Sequence, residues 1–131
     1  MAQVLLYNIA DREKLVKIKL TLLRLGVACR EVAPEEFAHP LGWLLGREGY
    51  APSAAEPETF IDEMLVMDGL QGPAFSAFLD GLRTASAQVT LKAVATEHNV
   101  DWSSAQLHRA LLAEHQAMSR IKPRHPAKKR R

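Results

Sequence analysis

Cysteine is almost missing: Cys29 stands alone among 131 residues, so no internal disulfide can form. A stapled secreted framework is excluded, and a reducing, cytoplasmic setting is the expectation. Long apolar runs are missing too, none approaching the roughly 18 residues that span a membrane. Met1-Ala2-Gln3-Val4-Leu5-Leu6 enters strand-like residues directly, with neither a basic n-region nor a cleavage site. The glycines form no phosphate loop: none follows the first apolar run, and Gly69 with Gly72 matches neither nucleotide fingerprint. There is no Gly-x-Ser-x-Gly turn and no pair of carboxylates assignable as acid and base. His108 and His115 are seven apart beside Glu114, whereas a zinc helix needs histidines at i, i+4 and further ligands. They read as partly exposed surface histidines. No metal, cofactor or catalytic residue is therefore expected, and nothing points to an enzyme.

Acids are absent from one stretch. Residues 120–131 hold seven of the 17 basic side chains and none of the 15 acidic ones. The remaining chain has ten basic side chains against 15 acidic, so a body of −5 adjoins a segment of +7. Lys122, Arg124, Lys128, Lys129, Arg130 and Arg131 could bind phosphates in a salt-sensitive way. No aromatics interleave with them for stacking on single strands.

What is present is a regular alternation. Val4 to Ile9 is a short apolar run of buried-strand type. Asp11 caps a helix with Leu15, Ile18, Leu22 and Leu25 on one face, and Gly26 ends it. Val27 to Ala33 reads as a more polar edge strand. Pro34-Glu35-Glu36 opens a helical turn bearing Phe37, Leu41, Leu44 and Leu45, which Pro40 breaks in two. Residues 46–59 read as loop. Met64 to Met67 is a third strand closing at Asp68-Gly69, and Pro73 opens a helix striped by Phe75, Phe78, Leu79 and Leu82. Val89 to Ala95 is a fourth strand. Ser103 and Gln106 form a capping box, with Trp102 and Leu107 at the staple positions, for a last helix buried through Leu107, Leu111 and Met118.

Four strand–helix repeats predict an α/β fold, residues 1–121 forming a single domain and 122–131 a disordered basic tail. Strands one and three are the most apolar, so the expected sheet is mainly parallel in the order 2-1-3-4, with helices on both faces. Right-handed crossovers would put the first and last helices on one face and the middle two on the other. The alternative is an α+β ferredoxin-like split βαβ, which also centres strands one and three. It joins strands two and three by a short hairpin, whereas about 28 residues intervene here. Leu5-Leu6-Tyr7-Asn8 and Leu65-Val66-Met67-Asp68 give a weak internal echo.

Several separated motifs carry a family resemblance. They are Val4 to Asn8, Arg12 to Gly26, Pro40-Leu41-Gly42-Trp43, Met64 to Met67, Leu91 to Val94, Thr96 with Asn99 and Trp102, and Glu114 to Met118. Over about residues 3–118 the chain resembles the uncharacterised bacterial proteins of domain-of-unknown-function family 3783. That resemblance implies a small bacterial cytosolic protein and no particular activity. In outline, Val4 to Val32, Leu65 to Asp68 and Thr96 also resemble response-regulator receiver domains. Receivers hold Mg²⁺ with acidic residues after strand one, where this chain has Asn8-Ile9, and no fifth strand with a lysine is present. Phosphorylation is not expected.

In open parallel sheets, ligands sit beyond the carboxyl ends of strands where the order reverses. That point would gather Tyr7, Asn8, Asp68, Gly69, Thr96, Asn99 and Trp102 into a pocket for a small polar ligand. The plainer reading makes Asn8 and Asp68 helix caps and Trp102 a staple. Trp43 and Leu44 offer a partner-binding or homodimer patch, or simply pack on the sheet. The expected function is a non-catalytic domain binding a small ligand or partner. The alternative is nucleic-acid or ribosome association through the basic tail.

Overall fold

The structure is a computed structural model and describes residues 2–121; the segment 122–131, expected to be a disordered tail, lies outside them. The elements are β1 (Gln3–Tyr7), α1 (Arg12–Arg24), β2 (Ala28–Val32), α2 (Leu41–Leu44), β3 (Met64–Asp68), α3 (Pro73–Thr84), β4 (Leu91–Val94) and α4 (Ser104–Ile121), with a 3₁₀ turn at Pro34–Glu36 before α2. Local chemistry sets the boundaries. Asp11 accepts from the Glu13 and Lys14 amides at 2.9 and 3.3 Å, and Ser103 and Gln106 exchange bonds of 2.9 and 3.2 Å as a capping box. Among the described residues no helix is long and apolar enough to cross a membrane.

The four strands form one sheet in the order β2-β1-β3-β4. β1 pairs parallel with β2 and β3 parallel with β4, but β1 and β3 are antiparallel, Gln3 opposite Asp68 and Tyr7 opposite Met64. The expected order and class hold, and two of three pairings are parallel. The ferredoxin-like alternative fails because β2 lies beside β1, not β3. The antiparallel centre also departs from the all-parallel sheet of receivers.

Direction reverses because the long connection from Val32 to Met64 returns to the end of the sheet it left. Loop closure costs little more as a loop lengthens, so length does not demand a crossover. The connection instead covers one face of the sheet. Its Phe37, Leu41 and Leu44 pack with Leu5, Tyr7, Met64 and Val66 there, joined by Leu107 of α4. The opposite face carries Val4, Leu6, Leu65 and Met67 under Ile18 and Leu22 of α1 and Phe78 and Leu82 of α3. Alternate residues of β1 thus point into two different cores, as a pleated strand buried on both sides requires.

The pairing of helices corrects the expectation that the first and last share a face. A half-turn about an axis normal to the sheet relates β1-α1-β2 to β3-α3-β4 and leaves each helix on its own side. Like crossovers therefore bring α1 and α3 together and leave α2 and α4 opposite. The halves agree in detail. Asn8 and Gly69, each just past its strand, have φ of 58° and 79°, and Gly26 and Ser86, each just past its helix, have 71° and 55°. Val27 N–H bonds the Leu22 carbonyl at 2.9 Å and Ala87 N–H the Leu82 carbonyl at 2.8 Å, the same helix-closing bond twice. The internal echo is real but one residue out of step, since the counterpart of Asn8 is Gly69. Met118, expected in the core, is 67% exposed.

Candidate functional site

Opposite strand directions give the sheet two poles. β1 and β2 finish at one, with Tyr7 and Asn8; β3 and β4 finish at the other, with Asp68, Gly69, Thr96 and Asn99. The crevice expected to join Asn8 to Asp68 does not exist. Parallel neighbours would have brought those tips together, and antiparallel ones separate them by the length of a strand.

At the β3/β4 pole the polar side chains are occupied. Thr96 N–H donates to Asn99 Oδ1 at 2.8 Å, Thr96 Oγ1 accepts from the His98 and Asn99 amides, and Asn99 Nδ2 donates to the Val94 carbonyl at 3.0 Å. The group is a self-capped turn of the kind Asn and Thr form at strand ends. Asp68 pairs with Arg47 at 2.9 Å. Trp102 offers its carbonyl to Leu41 N–H at 2.8 Å and is 37% exposed.

The β1/β2 pole differs. Tyr7 is fully buried, and its hydroxyl meets the buried Ser104 Oγ at 2.7 Å. Burial pushes its phenol far above the usual tyrosine value, and the Ser104 bond offsets only part of that. Asn8 turns the chain into α1 with a left-handed backbone, and its Nδ2 donates to the carbonyls of Phe60 at 2.9 Å and Asp62 at 3.0 Å. One side chain thus pins the last loop before β3. Between them, Asn8, Leu15, Glu31, Val32, Pro34 and Ile61 border a cleft of about 350 Å³, a volume typical of small-ligand sites. Its walls are largely apolar. Ile61 stands at its rim with 92% of its surface exposed.

Behind the cleft the loop is fastened to α4. Phe60 stacks on His108 with centroids 4.0 Å apart, His108 Nε2 lies 2.8 Å from Asp62 Oδ2, and Glu58 pairs with Arg109. Phe37 stacks on the other side of Phe60 at 4.5 Å. His108 is buried, contrary to the expected surface position, whereas His115 is exposed. Ser104 and His108 are not hydrogen-bonded to each other, so the hydroxyl–imidazole–carboxylate relay of an activated nucleophile is not assembled.

Phe60, Ile61, Asp62, Ser104 and His108 were not singled out as site residues from the sequence. The loop has no periodicity to expose the first three. Ser104, Leu107, His108 and Leu111 do follow the i, i+3, i+4, i+7 spacing of a buried stripe, which was the available signal. Of Trp43 and Leu44, expected as a partner patch, Leu44 is buried at 2% exposure, while Trp43 is half-buried and packs edge-on against His39 at 4.4 Å with the Arg30 guanidinium 5.6 Å from its ring. Cys29 lies in the edge strand β2 and is exposed.

Among the described residues no group of three or more histidine, cysteine or acidic side chains could hold a metal ion. The model of the family described as Domain of unknown function (DUF3783) matches residues 63–118. No curated protein and no solved structure matches the chain. The motifs of the first half that carry the resemblance lie outside the matched span. The matched span comprises β3, α3, β4 and most of α4, the half of the sheet that is similar to this family, and β1, α1 and β2 form the other half.

Proposed function

We propose that the protein is a non-catalytic binding domain whose ligand occupies the cleft at the ends of β1 and β2. The observation behind this reading is the double role of Asn8, which borders the cleft and holds the loop that bears Ile61. A cleft so held is pre-formed, and preorganisation lowers the entropic cost of binding. At the β3/β4 pole the polar side chains of Thr96 and Asn99 are already engaged within their own turn.

Thermal unfolding with a fragment library tests the proposal. A ligand at a hundred times its Kd stabilises the fold by about 2.7 kcal/mol. The expected result is a shift by fragments whose NMR perturbations centre on Asn8, Leu15 and Val32. Binding that maps elsewhere, or no binding at all, would remove the proposal.

A second reading rests on charge: the basic segment 120–131 would associate with RNA as a nonspecific polyanion. Retention on RNA at low salt should disappear when residues 122–131 are deleted, and unchanged retention would refute it.

A further inference from the structure

We infer that the cleft takes an aliphatic ammonium ion, an apolar body ending in a primary amine, an assignment that rests on the cleft reading above. The side-chain polar atoms around the cleft that lack a partner among the described residues are all acceptors. Both hydrogens of Asn8 Nδ2 go to carbonyl oxygens, of Phe60 and Asp62, and only an amide nitrogen can satisfy two carbonyls. The orientation of the amide is thereby settled, and Oδ1 is left as an acceptor that no donor among the described residues reaches. Glu31, the second polar side chain of the lining, accepts from Lys19 Nζ through Oε2 alone, at 2.7 Å. Its Oε1 has no partner among the described residues. Both members of that ion pair are substantially exposed, at 42% and 57%, so Lys19 is a weak competitor for the carboxylate.

The remaining walls, Ile9, Leu15, Val32 and Ile61 among them, offer hydrocarbon. A ligand complementary to this surface has an apolar body and a head that only donates. An ammonium group has three donors and no acceptor, and Glu31 supplies its counter-charge. A carboxylate or phosphate would meet acceptors and a like charge. Asp11 and Glu13, at the adjacent start of α1, further discourage an anion where a helix N-terminus would otherwise attract one.

Three matched probes decide the point: n-hexylamine, 1-hexanol and hexanoate, titrated into the full chain by NMR. Hexylamine should bind about tenfold more tightly than hexanol, the ratio expected for one charge-assisted hydrogen bond, and hexanoate more weakly than either. Glu31→Gln should abolish the preference for the amine without abolishing hexanol binding. Lys19→Ala, which removes the competing cation, should tighten hexylamine binding. Equal binding of all three probes in the cleft would overturn the ammonium assignment while leaving the cleft as a site. Failure of all three to perturb it would sink both. N-acetyl-lysine methylamide separates sources: binding stronger than that of hexylamine assigns the ammonium group to a peptide lysine, and weaker binding to a free amine.

Discussion

Asn8 shows how much one side chain can determine. Its backbone is left-handed, a region costing about 1–2 kcal/mol for residues other than glycine and, more mildly, asparagine. Its amide makes two bonds to a loop more than 50 positions away in sequence. Glycine and alanine separate the two roles. Asn8→Gly keeps the turn and loses the loop, at an expected cost of about 1–2 kcal/mol. Asn8→Ala adds backbone strain and should cost about 2–4 kcal/mol. Equal losses in urea unfolding would show that only the hydrogen bonds matter. The sequence marked Asn8 as polar at a strand end, which is legible from composition. Its partners were not legible, because no local rule connects it to Phe60 and Asp62. Tyr7 invites a second experiment. Its ionisation in the folded state lies above the ordinary value of 10.0, so on raising pH the unfolded chain loses that proton first. The contribution is whole below pH 10 and declines as pH climbs towards the folded value. Tyr7→Phe should therefore lose about 1–3 kcal/mol at neutral pH through the orphaned Ser104 hydroxyl and show a shallower alkaline decline than the parent. Parallel alkaline profiles would contradict the assignment.

Between elements, α1 and α3 approach closely at Gly81. A methyl group on Gly81 would come within 2.7 Å of Thr21 Cγ2. Thr21 cannot simply turn aside, since its hydroxyl bonds the Lys17 carbonyl at 2.8 Å. Alanine would gain roughly 1 kcal/mol of helix propensity over glycine, but overpacking costs about 1–3 kcal/mol. Gly81→Ala should be destabilising on balance, and Thr21→Ala should rescue it, giving a coupling of about 1 kcal/mol or more in a double-mutant cycle. Strict additivity would mean that the helices part easily. Helix starts and ends were well legible here, because Asp11, Gly26, Pro73 and the Ser103–Gln106 box act within a few residues. The contact of α1 with α3 was not, since it depends on the direction of a strand nearly 60 residues from β1. Apolarity identified β1 and β3 as central but says nothing of their polarity, because a strand buried on both faces looks alike read either way.

For the molecule as a whole, the central pair should be the last part to open. The amides of β1 and β3 should exchange with solvent at the slowest, global rate, and those of the edge strands β2 and β4 earlier. Slower exchange in β2 than in β3 would be incompatible with the sheet order. The antiparallel pairing at the centre has one more effect. Five residues of strand, about 17 Å, lie between the open cleft at one pole and the self-bonded turn of Thr96 and Asn99 at the other. The molecule is therefore two-ended, like a cable with different connectors. Filling the cleft would leave the far end uncovered, so occupancy of one end would not by itself block the other.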